Sequence, residues 1–255
     1  MYKIAKFILK DILKSKITGF YAVILFVLSW AALGMEGHPA KANLNLLNIV
    51  LFVVPLFSLV FSVIYVYNSS QFIELLSTQP IKRDVIWTGI FLGLSLSQVL
   101  VFLAGCGIPI FIYSSIDYGL CVLLGGALLC LDFVALAMYA AVSTNDKAKG
   151  IGIAIFVWVF FNIFYDGLLL ILMFQFSDYP IERIMVVLSS LSPIGLTRVF
   201  AQLQLDLSGM LGYSGAIFKS IFGTGSGIFI SGLILLLWAG LPFLGSLLKF
   251  RRKDL

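Results

Sequence analysis

Residues 46–66 read LLNIVLFVVPLFSLVFSVIYV, and residues 68–87 read NSSQFIELLSTQPIKRDVIW. The first stretch carries no charge over twenty-one positions. At about 1.5 Å per helical residue it crosses the roughly 30 Å of bilayer hydrocarbon. The second opens on polar residues, turns apolar at Phe72, Ile73, Leu75 and Leu76 around Glu74, and meets Pro80 before Lys82 and Arg83. Proline cannot continue a helix past its first turn, so a short amphipathic helix ends there and apolar sequence resumes at Val85. A membrane crossing followed by a short surface helix is the unit from which the fold is read.

Composition makes the same point for the whole chain. Of 255 residues, 61% are hydrophobic and only 11% charged, whereas a soluble domain carries about 25% charged residues. Apolar runs over Thr18–Met35, Leu46–Val66, Val85–Tyr113, Gly119–Val142, Ile151–Phe174 and Ile228–Leu248 give six spans and leave no room for a separate soluble domain. Gly105, Gly107 and Pro109 predict a kink or break near the end of the third run.

The few charges orient the spans. Lys3, Lys6, Lys10, Lys14 and Lys16, then Lys82 and Arg83, Lys147 and Lys149, and Lys249, Arg251, Arg252 and Lys253 all fall on one side. The other side holds Lys41, Arg183, Arg198 and Lys219. Thirteen basic residues against four place both termini in the cytoplasm.

Three segments lie outside the spans. Residues 1–17 repeat lysine at helical spacing opposite Ile4, Ala5, Ile8, Leu9 and Ile12. That pattern predicts a helix in the cytoplasmic interface, apolar face in the acyl boundary and lysines at the headgroups of membrane lipids. It does not have the form of a cleaved secretory leader. Residues 68–84 form the cytoplasmic segment quoted above, whose helix another protein can grip. Residues 175–227 are too apolar for a free outer loop. With Ser192-Pro193 read as a breaker and a helix over Leu196–Leu205, they predict short re-entrant helices buried against the spans.

Catalytic chemistry has little to work with. No phosphate loop of the GxxxxGK[ST] type is present, Leu207-Ser208-Gly209 is a coincidental fragment, and one histidine, His38, completes no triad. Cys106, Cys121 and Cys130 lie in apolar stretches with no zinc spacing. His38 with Met35 and Glu36 is a weak candidate for a soft metal, and an idle loop is the better reading. Asp132 and Asp166 fall within spans, where a carboxylate costs about 2.5–3.5 kcal/mol on insertion scales. With no cation inside a span, each must face water, hydrogen-bond to a neighbouring helix, or carry a proton. Asn162, four residues before Asp166, suggests an interhelical polar cluster. Gly89 and Gly93 form a GxxxG close-packing motif.

The layout as a whole resembles the permease subunits of type-2 ABC exporters. The most specific match is Glu74-Leu75-Leu76-Ser77-Thr78-Gln79-Pro80-Ile81-Lys82-Arg83, similar to an E-L-L-x-x-Q-P-x-x-R stretch in such permeases. Within them the chain is most similar to the permeases of nitrous-oxide reductase maturation, through Leu75–Arg83, Ser192–Phe200 and Gly212–Ala216. The resemblance implies an all-α polytopic fold in one transmembrane domain over residues 1–255. Its parts are an N-terminal elbow helix, six spans, a cytoplasmic coupling helix and outer re-entrant helices. It implies a homodimer in a bacterial inner membrane, with two separate ATPase subunits that hold ATP and magnesium. The chain itself would be no enzyme, with no catalytic residue, no metal, no cofactor and no nucleic-acid partner. ATPase coupling would fall to Phe72, Ile73, Glu74, Leu75, Leu76, Gln79, Pro80 and Arg83. Docking of a periplasmic accessory protein, in copper-site maturation, would fall to Pro193, Arg198, Phe200 and Tyr213. Export of a lipid, drug or ion by the same machinery is an alternative, and so are a proton-coupled carrier built on Asp132 and Asp166 and an intramembrane scaffold.

Overall fold

In a computed structural model, described over residues 1–36, 39–114, 116–175, 187–203 and 224–252, every regular element is helical among the described residues. Helix α1 (Tyr2–Lys14) passes through one extended residue, Ser15, into α2 (Lys16–Gly34). Then come α3 (Pro39–Asn68), α4 (Ser70–Ser77), α5 (Arg83–Tyr113) and α6 (Ile116–Ser143). Helices α7 (Lys147–Val159) and α8 (Tyr165–Gln175) are joined end to end by a π-helical segment, Phe160–Phe164, and together make the fifth span. Helix α9 (Pro193–Gln202) and the long α10 (Thr224–Arg252) follow. Among the described residues six helical stretches are long and apolar enough to cross a membrane, and they match the six runs read from sequence to within a few residues at most ends.

Helix α6 is the axis of the bundle. Phe133, Val134, Ala135, Ala137 and Met138 are fully enclosed, with α3, α5, α9 and α10 packed around them. The fifth span lies at the edge, with only 6% of its apolar window buried. The expected irregularity is displaced. Helix α5 runs continuously through Gly105, Gly107 and Pro109, whereas the break in α-helical pattern falls at Phe160–Phe164.

The position of α1 also differs from expectation. Ile4, Ala5, Ile8 and Ile12 do form one face, but that face is buried in protein instead of lipid. Its seat is the GxxxG motif of α5. A Cβ on Gly89 would come 3.1 Å from Ile4 Cβ, and one on Gly93 would come 2.7 Å from Ile8 Cβ. Missing side chains thus let two backbones meet, and Gly105 admits Leu25 of α2 in the same way, at 2.7 Å. Gly93→Ala should therefore destabilise the detergent-solubilised protein by about 1–3 kcal/mol, seen as a lowered thermal midpoint. Gly152→Ala, whose Cβ would meet nothing within 4 Å, is the control and should leave the midpoint in place. Equal effects of the two changes would show that α1 is not seated on Gly93.

Candidate functional site

Helix α4 is held from behind and open in front. Ser70 follows the last residues of α3, and beyond Ser77 the chain turns with Thr78 Oγ1 donating to Leu75 O at 2.9 Å before Pro80. Ile73 is buried among Ile86, Trp87 and Val142, and Leu76 packs on the same cluster. Phe72 stacks on Phe7 of α1 at 5.2 Å between ring centroids. Glu74, Leu75, Gln79 and Pro80 are exposed, Leu75 at 66% despite being apolar. The residues expected to couple thus divide into an anchoring set and a presented set. Arg83 belongs to neither: its Nη1 donates to the Arg251 carbonyl at 3.1 Å, near the end of α10.

That contact is part of a larger clasp. Arg251 Nε and Nη2 donate to the Asp84 carboxylate at 2.5 and 2.6 Å. Trp87 Nε1 donates to Ser246 Oγ at 2.9 Å, Trp87 stacks on Phe250 at 4.3 Å, and Phe91 stacks on Phe243 at 4.3 Å. The start of α5 and the end of α10 are thereby zipped together. Sequence reasoning missed Asp84, Ser246 and Arg251 here. The available signal was an acidic residue in a first helical turn and basic residues in a last one, both favoured by the helix dipole. Two further ties hold the end of α3. Tyr65 Oη donates to Asp11 Oδ2 at 3.1 Å, and Lys147 Nζ donates to Asn68 Oδ1 at 2.8 Å. Elements directly before and after α4 are therefore fastened to α1, α7 and α10.

The intramembrane polar residues do not come together as one cluster. Asp166 pairs with Arg198 of α9 at 2.9 Å, so a cation from outside the spans supplies the partner that the spans lack. Beside it, the Tyr165 hydroxyl donates to the Leu188 carbonyl. Asn162 lies within the π segment and its amide donates along its own helix to Trp158 O at 3.5 Å. The extra residue in a π turn moves the four-residue spacing off a single face. Asp132 is 0% exposed, and neither of its carboxylate oxygens has a hydrogen-bond partner among the described residues.

Helix α9 also departs from its expected form. Ser192-Pro193 does separate two helical segments, 187–190 and α9, and it also starts the second, three residues earlier than expected: Ser192 Oγ accepts from the Gly195 amide at 3.2 Å, and Pro193 occupies the first turn, where its missing N–H costs nothing. Pro193 and Phe200 are buried inside the bundle and not presented on its outer face, and Arg198 is engaged by Asp166. Close approaches fix α9 beside Gly125 of α6 and Gly232 of α10, eight or nine residues into those helices, about 12–14 Å from their ends. Tyr213 and His38 lie outside the described residues. Among the described residues no three His, Cys, Asp or Glu side chains gather as a metal site.

No family model matches the chain. It is 25% identical, over 279 aligned positions, to a protein of Stutzerimonas stutzeri named "Probable ABC transporter permease protein NosY"; the alignment covers 99% of this chain and 98% of that one. The chain resembles an ABC transporter permease from end to end. Six apolar helices fit such a subunit, a multi-pass membrane protein that in general works with an ATPase partner.

Proposed function

We propose that the chain is the permease subunit of an ATP-driven ABC transporter, with α4 as the helix that an ATPase subunit grips on the cytoplasmic side. The observation that carries this reading is the division of α4 into an anchored face and a presented face. Ile73, Phe72 and Leu76 fix the helix to the bundle, while Glu74 and Leu75 stand out from it. An exposed leucine beside a carboxylate, on a helix with a rigid back, suits a socket on a partner and can pass a push to the spans without bending.

In this reading the push enters at α4 and moves along α5 and α10, which the Asp84–Arg251 pair and the Trp87–Phe250 stack hold together. Trp238 of α10 donates to Ser190 O at 3.1 Å, and Asp166 of the fifth span holds Arg198, so both spans end their contacts on the segment around α9. A second copy would meet the exposed fifth span and complete a homodimer. Work arriving at α9 would then act on an accessory protein on the periplasmic side. Through the resemblance to nitrous-oxide reductase maturation permeases, that work would serve assembly of a copper site. A carrier driven by protons at Asp132 and Asp166 is less well supported, since Arg198 already neutralises Asp166.

Cross-linking tests the coupling assignment in native membranes. Leu75→Cys should form a product with the ATPase subunit on treatment with a short thiol-to-amine linker, while Tyr2→Cys, exposed on α1, should not. Absence of the Leu75 product with a labelled, folded permease would end the assignment.

A further inference from the structure

Between the end of α1, the first half of α2 and the adjoining half of α3, with Ile155 of α7 also in its lining, lies a cavity of about 930 Å³, in the size range of ligand pockets. The relay proposed above does not use it. Its walls are apolar, with Ile17, Ile24, Val53, Leu56 and Phe57 among them. One side is an aromatic ladder of Tyr21, Phe57, Phe61 and Tyr65, stacked at 3.5, 5.1 and 6.3 Å between successive centroids. Its mouth is polar, formed by Lys14, Ser15, Asn68 and Ser69 with Asp11.

Two features identify the occupant. Along α3 the cavity runs from Asn68 at the mouth to Val53 at its depth, fifteen residues or about 22 Å of helix. One leaflet, hydrocarbon plus headgroup region, is about 20–22 Å thick, so the cavity is as deep as a phospholipid is long. The second feature is charge. Lys3, Lys6, Lys10, Lys14 and Lys16 are all exposed on α1 and the start of α2. The acidic residue at the mouth, Asp11, already accepts a hydrogen bond from Tyr65. Because the apolar face of α1 is spent on α5, this helix roofs the cavity and leaves acyl-sized space beneath itself.

We propose that the cavity holds one anionic phospholipid of the leaflet in which α1 lies. Its phosphate meets Lys14, Ser15, Asn68 and Ser69, and its tails run past Leu56 and Phe57 toward Val53. The lipid is a resident part of the fold that fixes α1 against α3. This inference requires the six-span membrane fold and not the transporter reading.

The experiment is thermal unfolding of the whole detergent-purified chain with added phosphatidylglycerol, phosphatidylcholine or inorganic phosphate. Phosphatidylglycerol should raise the midpoint and remain bound in native mass spectra, while phosphatidylcholine should act roughly tenfold more weakly. Lys14→Gln should remove most of that preference, and Val53→Trp, which fills the deep end, should abolish retention with helical content unchanged. Should Val53→Trp fail to fold, Leu56→Trp replaces it. Equal stabilisation by both lipids with no effect of either variant would overturn the proposal. So would a shift produced by inorganic phosphate alone, which marks a free-anion site, or loss of the cavity's accessibility when two copies associate. None of these outcomes depends on an ATPase.

Discussion

Glu74→Lys combined with Leu75→Asp will leave the permease inserted and folded but will abolish its capture of an ATPase subunit. Both side chains are exposed, so the change removes no internal packing and should not shift the thermal midpoint by more than about 0.5 kcal/mol equivalent. On a docking face the same change reverses a charge and places a carboxylate where a partner expects an apolar knob. Central contacts of this kind commonly cost 2 kcal/mol or more, so affinity should fall by at least about 30-fold. Co-purification of the two subunits and permease-stimulated ATP hydrolysis are the measurements, and both should be lost together. Ile73→Asp separates docking from support. It buries a charge at a 4% exposed position and should destabilise the permease itself. Intact ATPase association with the double variant would place the grip elsewhere on the chain.

The parts of this molecule that were legible in sequence are those governed by local rules. A span is a run of apolar residues longer than the bilayer is thick, so all six spans fall close to where composition puts them. Helix α4 was legible because Pro80 follows its end and its four apolar residues give it an amphipathic pattern, although one of them, Leu75, stands on the exposed side. What stayed hidden depends on partners far along the chain. The alternation of lysine and isoleucine in α1 specifies an amphipathic helix but not whether lipid or Gly89 and Gly93 receives it. Phe160–Phe164 reads FFNIF, which has no polar rhythm to distinguish a π turn from an α turn. Ser192-Pro193 is the most instructive case. The dipeptide was legible as a break between two helical segments, but not as the cap and first turn of α9, nor does it tell that almost every position of α9 is buried. Burial of α9 is also why Pro193 and Phe200 do not stand on the outer face.

Arg198→Glu will have the largest effect on the outer half of the bundle. In the native chain Arg198 and Asp166 lie 2.9 Å apart with side chains 34% and 21% exposed, at membrane depth where little water is available to take over either charge. A fully buried pair broken on one side costs about 3–5 kcal/mol; partial exposure here lowers that to about 1–3 kcal/mol. Reversal is worse than removal, because two carboxylates then face each other beside the π segment. Asp166→Arg alone should be comparably harmful, and the exchange Asp166→Arg with Arg198→Glu should recover part of the loss. The interaction energy from this cycle, read from thermal midpoints of the purified chain, should exceed about 0.5 kcal/mol. Functionally, either single variant should keep its ATPase partner and basal hydrolysis, since α4 is untouched, yet lose whatever output the outer segment delivers. Strict additivity of the two single changes would show that the charges do not meet. Loss of ATPase association in Arg198→Glu would instead mean that α9 acts on the gripping end and not downstream of it.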